Sequence, residues 1–277
     1  MAPTQYDKAL RFRALHEAAG AFVMPNPWDG GSARILAGLG FQALATSSGA
    51  AAGTLGRRDG AVTRDEALAM AKVIVDAVDL PVSADLENGF GDTPEDAALT
   101  IRRAAEIGLA GASIEDATGR ADAPLYGFAH AVERVAAAAE AARASGIAFT
   151  LTARAENCLR GNPDLDDTIR RLQAFERAGA DVLFAPGLPD LDAVRAVCSA
   201  LTKPVNFMVA IRGRSFSVAE LQAAGVKRIS LATSLYRAAM TGLVTAAREV
   251  AEHGTFGYLD AGLLTTPEIN AFMRPPD

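Results

Sequence analysis

Histidine, cysteine and tryptophan are scarce in this 277-residue sequence, which has three His, two Cys and one Trp. Two cysteines, Cys158 and Cys198, without a Cys-x-x-Cys spacing, exclude a disulfide framework and point to a reducing, cytoplasmic compartment. No His/Cys cluster is available for zinc. No apolar run approaches the length that spans a bilayer, and Asp7, Lys8, Arg11 and Arg13 interrupt the N-terminal segment where a secretory signal would need an apolar stretch. Basic charge is not in excess. With 27 Lys and Arg against 33 Asp and Glu, the net charge is −6, so neither nucleic acid nor an anionic membrane is an expected partner. No Gly-x-Gly-x-x-Gly follows the first apolar segment and no Gly-Lys-Ser or Gly-Lys-Thr occurs, which removes the phosphate cradles of dinucleotide and P-loop proteins. No linker rich in Pro, Gly and Ser divides the chain, so residues 1–277 read as one domain.

What is present is a repeated alternation. Half of the residues are hydrophobic and only 22% are charged, the composition of a globular protein. Eight short apolar segments recur: Phe22 to Pro25, Ala43 to Thr46, Val82 to Asp85, Ala112 to Glu115, Phe149 to Arg154, Val182 to Ala185, Val205 to Met208 and Ile229 to Ala232. Ala-rich stretches with helical spacing separate them. Asp92-Thr93-Pro94 offers a cap with Pro in the first turn, and Gly108, Gly146, Gly179 and Gly225 stand where helices should stop. Near-continuous apolar strands alternating with helices predict a parallel sheet buried on both faces. Eight units over this length fit a (β/α)8 barrel, with an open doubly wound sheet as the alternative. A leading helix is expected around Tyr6 to Ala19, the barrel over about residues 20–253 with a last long helix from Leu235 to His253, and a C-terminal extension over residues 254–277.

In such barrels the active site lies where the strands end. The third strand ends Asp85-Leu86-Glu87, the fourth Glu115-Asp116, and the loop after the second carries Arg57-Arg58-Asp59. Strand alternation lets Asp85 and Glu87 face the same side. Two such carboxylates with Glu115 beside them repel unless a cation neutralises them, and oxygen ligands suit Mg²⁺ or Mn²⁺. Asp92 and Asp116 read instead as helix caps or solvated residues. The fifth strand ends Ala153-Arg154-Ala155-Glu156, placing a guanidinium at an acidic mouth. There it holds a substrate carboxylate or stabilises an enolate oxygen, or else simply bridges to Glu156 or a neighbouring acid. The Ser47-Ser48-Gly49 turn offers hydroxyls and backbone N–H groups to a carboxylate or phosphonate.

Together these segments resemble the isocitrate lyase/phosphoenolpyruvate mutase superfamily. The resemblance rests on Asn26-Pro27-Trp28-Asp29, Thr46-Ser47-Ser48-Gly49 with Asp59 beyond it, Ala84-Asp85-Leu86-Glu87-Asn88-Gly89-Phe90-Gly91, Ile114-Glu115-Asp116, Ala153-Arg154 and Ala178-Gly179-Ala180-Asp181. It runs from about Phe22 to Tyr236 and implies a (β/α)8 barrel assembled as a homo-oligomer, dimer or tetramer, with the last barrel helix exchanged between partners. It also implies Mg²⁺ held directly by Asp85, with Asp59, Glu87 and Glu115 contributing partly through water. Ser47, Ser48, Gly49 and Arg154 would hold a 2-oxo acid or enolate, with Asn206, at the site rim, and Trp28 as further substrate-binding residues. The expected catalytic residues are Arg154, Asp59 and Glu115, and the expected partner is a small 2-oxo or 2-hydroxy carboxylate.

Two departures qualify the activity. Glu87 stands where the family usually has Asp. After Glu115-Asp116 the lyases carry a Lys-Lys-Cys-Gly-His loop whose Cys is the acid, whereas this chain reads Ala117-Thr118-Gly119-Arg120-Ala121-Asp122-Ala123-Pro124. The Lys and the Asn or Thr of the phosphonate branches are absent from it too. Arg120 there reads as a solvated loop residue or a gate, Cys158 as a small buried residue and His130 as a helix-start or surface residue. The expected reaction is C–C cleavage by a lyase or decarboxylase through an enolate. The alternatives are P–C chemistry on a phosphonopyruvate-like substrate, or 2-oxo acid binding without turnover.

Overall fold

The computed structural model describes residues 2–273. Eight parallel strands are formed by Phe22–Met24 (β1), Leu44–Ala45 (β2), Val82–Asp85 (β3), Gly111–Glu115 (β4), Thr150–Arg154 (β5), Val182–Phe184 (β6), Val205–Met208 (β7) and Arg228–Ser230 (β8). They pair in the order β1-β8-β7-β6-β5-β4-β3-β2, so the sheet curls almost into a closed barrel with helices around it. The seam between β1 and β2 is closed by the Ala45 N–H donating to Pro25 O at 3.0 Å and by Asn26 Nδ2 donating to Thr46 O at 2.8 Å. Asn26 Oδ1 also accepts from the Leu231 N–H at 2.9 Å, so this one side chain ties three strand ends together.

All eight expected strands form. Their inward faces differ from the near-continuous apolar runs that were expected. Outward residues such as Val82, Ile114, Leu151, Leu183, Phe207 and Ile229 belong to the apolar cores against the helices. The alternate positions Ser83, Asp85, Ser113, Glu115, Arg154, Asn206, Arg228 and Ser230 line an internal cleft. A barrel interior is ordinarily filled by bulky branched side chains. Small and polar ones here leave it hollow from the mouth downward.

Helix ends follow their local chemistry. Thr93, rather than Asp92, caps the helix Pro94–Glu106 in a reciprocal box with Asp96, with Pro in its first turn. Gly179 ends the helix Leu165–Ala178 at φ 108°, a conformation that penalises any Cβ. The N-terminal helix Gln5–Glu17 closes the bottom of the barrel, burying Ala9, Phe12 and His16 among Met24, Ala43, Ala110 and Ala148. Gly111 makes room for it, since a Cβ there would lie 3.0 Å from Phe12 Cε1 and 2.5 Å from Thr150 O.

The long helix Ser234–His253 buries no residue along its length. Leu243, Val244 and Val250 are exposed on it, as are Phe256, Leu259, Leu263 and Leu264 beyond it. The chain then returns through the helix Thr266–Phe272 to the helix Gly30–Gly38, where Arg34 Nη1 donates to Met273 O at 2.6 Å. Residues 274–277 of the expected extension lie outside the described residues. Among the described residues, no helix is long and apolar enough to cross a membrane.

Candidate active site

The strand ends open into a cleft of about 1020 Å³. Its lining includes Ser47, Ser48, Gly49, Asp59, Asp85, Glu87, Glu115, Arg154 and Asn206, so the structure brings nearly all of the sequence-predicted site residues together. Trp28 is the exception. It packs edge-on against Tyr236 with ring centroids 5.4 Å apart, and lines a small recess behind Ser47, Ser48 and Asp85 instead.

Arg154 is the hub. Its Nη1 donates to Asp85 Oδ1 at 2.9 Å, its Nη2 lies 3.1 Å from Glu115 Oε2, and Nε and Nη2 reach Glu156 Oε1 at 3.0 and 2.8 Å. The Phe184 ring supports the guanidinium from 5.0 Å. These neighbouring acids hold the guanidinium well above its ordinary pKa despite burial. Arg154 thus makes the expected bridge to Glu156 and its neighbouring acids, and it lines the cleft.

Asp85 is held at both oxygens. Its Oδ2 accepts from the Ser48 N–H at 3.3 Å and its Oδ1 from Arg154 Nη1 at 2.9 Å, while its own N–H donates to Thr46 Oγ1 at 3.0 Å. Gly49 packs closely against the loop that carries Asp59, since a Cβ there would lie 3.0 Å from Thr233 Cγ2 and 3.3 Å from Asp59 Cγ. Glu87 reaches the cleft by a route other than strand alternation. β3 ends at Asp85, Leu86 turns into the core, and Glu87 has a left-handed backbone with φ 48°. Non-glycine residues hold that conformation at a cost, a form of strain that concentrates at functional sites. Burial, then the charges of Asp85 and Asp59, push the Glu87 carboxyl up to about 7. Burial pushes Glu115 up to about 8, although Arg154 pulls against it.

Other expectations need correction. Asp116 neither caps a helix nor faces solvent; it is buried, accepts from the Glu156 N–H at 2.8 Å and pairs with Arg171 at 3.1 Å. Burial raises its carboxyl to about 6. Asn206 is inside β7, deep in the barrel and 2% exposed, rather than at the rim. Cys158 is half-buried and outside the cleft lining, and burial raises its thiol. Asp92 is solvated, and Arg120 is exposed and paired with it at 2.8 Å. The loop they hold closes on itself through an Ala117–Leu125 bridge. His130 is a surface residue whose Nε2 donates to Asp92 O at 2.7 Å.

Sequence reasoning missed Arg160 and Arg228. Arg160 Nη2 lies 3.2 Å from Glu115 Oε1 and its Nε lies 3.4 Å from Glu156 Oε2. Arg228 lies one residue before the apolar segment that begins at Ile229, yet it opens β8. Alternation about the buried Ile229 is the signal that turns Arg228 inward.

A divalent cation suits this donor set. The carboxylates Asp59, Asp85, Glu87, Glu115 and Glu156 outnumber the guanidinium groups that touch any of them among the described residues, those of Arg154 and Arg160. Among the described residues no three His, Cys, Asp or Glu stand close enough to form a ready cage. Mg²⁺ does not need one, since it keeps several waters and takes one or two carboxylates directly.

An acidic mouth gripping one central arginine thus stands above a parallel (β/α)8 barrel. The chain belongs to the phosphoenolpyruvate phosphomutase family, whose model matches residues 12–251. It is similar to a protein of Burkholderia cenocepacia J2315, provisionally described as a lyase/mutase, with 52% identity and a TM-score of 0.95 over 99% of this chain and 98% of that one. The 2-methylisocitrate lyase of Escherichia coli K12 is 31% identical over 72% of this chain and 69% of its own length. A 2,3-dimethylmalate lyase described as a PEP mutase/isocitrate lyase superfamily member superposes with a TM-score of 0.86 at 27% identity, covering 96% of this chain and 95% of that one. These likenesses support an enzyme of the lyase/mutase type.

Proposed function

We propose that this protein is a Mg²⁺-dependent carbon–carbon lyase or decarboxylase acting on a small 2-oxo or 2-hydroxy carboxylate through an enolate. The observation that carries the reading is the convergence of Arg154 with Asp85 and Glu115 at the mouth of a deep cleft. The similar proteins named as lyases of 2-methylisocitrate and 2,3-dimethylmalate act, by those names, on 2-hydroxy polyacids. Mg²⁺ would be held by Asp85 directly, with Asp59, Glu87 and Glu115 reaching it through water, and would polarise the 2-oxo or 2-hydroxy oxygen.

Arg154 does the rest of the charge work. Its planar fork binds a substrate carboxylate and stabilises the negative charge that develops on the enolate oxygen. Glu156, buried behind it, accepts from Nε and Nη2, and with Glu115 on Nη2 and Asp85 on Nη1 it fixes the plane of the guanidinium at the cleft wall. The Ser47 hydroxyl and the N–H groups of Ser48 and Gly49 orient the same carboxylate. Proton return to the enolate carbon falls to water, because the Ala117 to Pro124 loop offers no thiol. The same loop disfavours P–C chemistry.

The test is a turnover assay with 2-oxo acids, malates, isocitrates and phosphonopyruvate, with and without Mg²⁺. Mg²⁺-dependent release of pyruvate, glyoxylate or CO₂ from a 2-oxo or 2-hydroxy acid supports the reading. Isocitrate cleavage should be slower than in a thiol-bearing lyase by about 10²- to 10⁴-fold, the usual worth of a general acid. Turnover of phosphonopyruvate alone, or binding with no turnover of any acid, overturns it.

We also propose that a second copy of this chain covers the apolar face of Ser234–His253 and the segment after it, giving a dimer or tetramer.

A further inference from the structure

We propose that Arg228 forms an anion subsite at the floor of the cleft, taking the second carboxylate of a short diacid whose first carboxylate is bound by Arg154. This rests on the reading of the mouth as a 2-oxo or 2-hydroxy acid site and narrows its substrates to diacids.

Arg154, Phe184, Asn206 and Arg228 are aligned partners across β5, β6, β7 and β8. They form one inward rung. From β8 the Arg228 side chain crosses the barrel, and its Nη2 donates to Thr152 Oγ1 on β5 at 2.9 Å. Thr152 stands two residues below Arg154, a drop of about 7 Å along the strand. Two guanidinium groups are thus stacked along one cleft, a short distance apart, with the acids all around the upper one.

The lower cation has no counter-charge. Arg228 is 3% exposed, lines the cleft and has no carboxylate in contact among the described residues. Its partners are neutral: Asn206 Oδ1 accepts from Nε at 2.8 Å, and His16 Nε2 lies 3.3 Å from Nη1. His16 Nδ1 stands 2.8 Å from Phe12 O, which can only accept, so Nδ1 carries the proton and Nε2 turns its lone pair to Arg228. Burial, then the Arg228 charge, keeps His16 neutral by lowering it to about 3. A buried charge is normally paired, and leaving it bare is unfavourable.

Of the five guanidinium N–H donors, Asn206, Thr152 and His16 engage one each. One N–H on Nη1 and one on Nη2 are left, the pair of donors that a planar carboxylate takes. The small side chains of Ala45, Ser83, Ser113 and Ser230 line the same cleft as Arg228. A purely structural arginine, tying the N-terminal helix to β5 and β7, would have the same protein partners but no preference among ligands.

The experiment is calorimetry on the Mg²⁺-loaded protein with pyruvate, which lacks a second carboxylate, and with 3,3-difluorooxaloacetate, which has one and resists decarboxylation. Arg228→Met should weaken binding of the diacid at least tenfold more than that of pyruvate. Arg228→Lys, which keeps the charge but not the fork, should fall between and covers the case in which the Met variant does not fold. Equal changes for both acids, or no change for either, overturn the Arg228 assignment while leaving the mouth intact. Failure of the parent protein to bind pyruvate with Mg²⁺ overturns the underlying reading as well.

Discussion

Arg154 Nη1 donates to Asp85 Oδ1 at 2.9 Å, so the residue proposed to hold the metal is also the one that anchors the arginine proposed to bind substrate. Removing either should therefore disable two functions at once.

Asp85→Ala is expected to lower Mg²⁺ affinity at least about 100-fold and to abolish turnover, with metal-free stability changed by no more than about 1 kcal/mol. The stability effect is small because the lost pairing to Arg154 is offset by relief of repulsion with Glu87. Metal titration and thermal melts in a chelator check both halves. A variant that binds Mg²⁺ and pyruvate like the parent would remove Asp85 from the site.

Arg154→Lys is expected to lower kcat/KM by about 10²- to 10³-fold, as for loss of an oxyanion donor. One ammonium cannot serve Asp85, Glu115, Glu156 and a ligand with fixed planar donors. Steady-state kinetics decide it. Parental values would leave Arg154 with a structural bridging role.

The raised carboxyls of Glu87, about 7, and Glu115, about 8, set a pH dependence. Both lie above their ordinary value, so the metal-free fold retains protons that the unfolded chain has lost. Their contribution to stability is complete below about pH 4.5 and is lost as pH rises through 7 to 8. Mg²⁺ replaces those protons. Its stabilisation should be small at pH 5.5 and at pH 8.5 reach about 2.7 kcal/mol at a hundredfold excess over Kd, several degrees in the melting midpoint. An equal Mg²⁺ effect at both pH values would place the ion elsewhere.

Light scattering on the purified chain should give a dimer or tetramer. Leu243→Glu together with Leu259→Glu, both about 60% exposed, should shift it toward the monomer without unfolding the barrel. A monomeric parent would leave this apolar face without its proposed cover.

The barrel and its mouth were legible because strand ends carry their chemistry in plain order: Asp85 closes β3, Glu115 closes β4 and Arg154 closes β5. Interior positions were harder. The short segment around Ile229 does not reveal by composition which way its neighbours point, and the twist that carries Arg228 across to Thr152 is a property of the closed sheet. Glu87 enters the cleft through a left-handed turn after β3 ends, which strand alternation does not disclose. Asp116 looked solvated because its partner Arg171 is 55 residues away.

The hollow interior divides the molecule's labour. Cohesion comes from the contacts between the outward strand residues and the surrounding helices, while the inward rungs of Ser83, Ser113, Asn206 and Arg228 contribute little apolar burial. Inward positions are therefore released from the packing demand that fixes core residues in a filled barrel. Such a scaffold can exchange one ligand for another by rewriting its inner wall, with its outer wall keeping the same shape throughout.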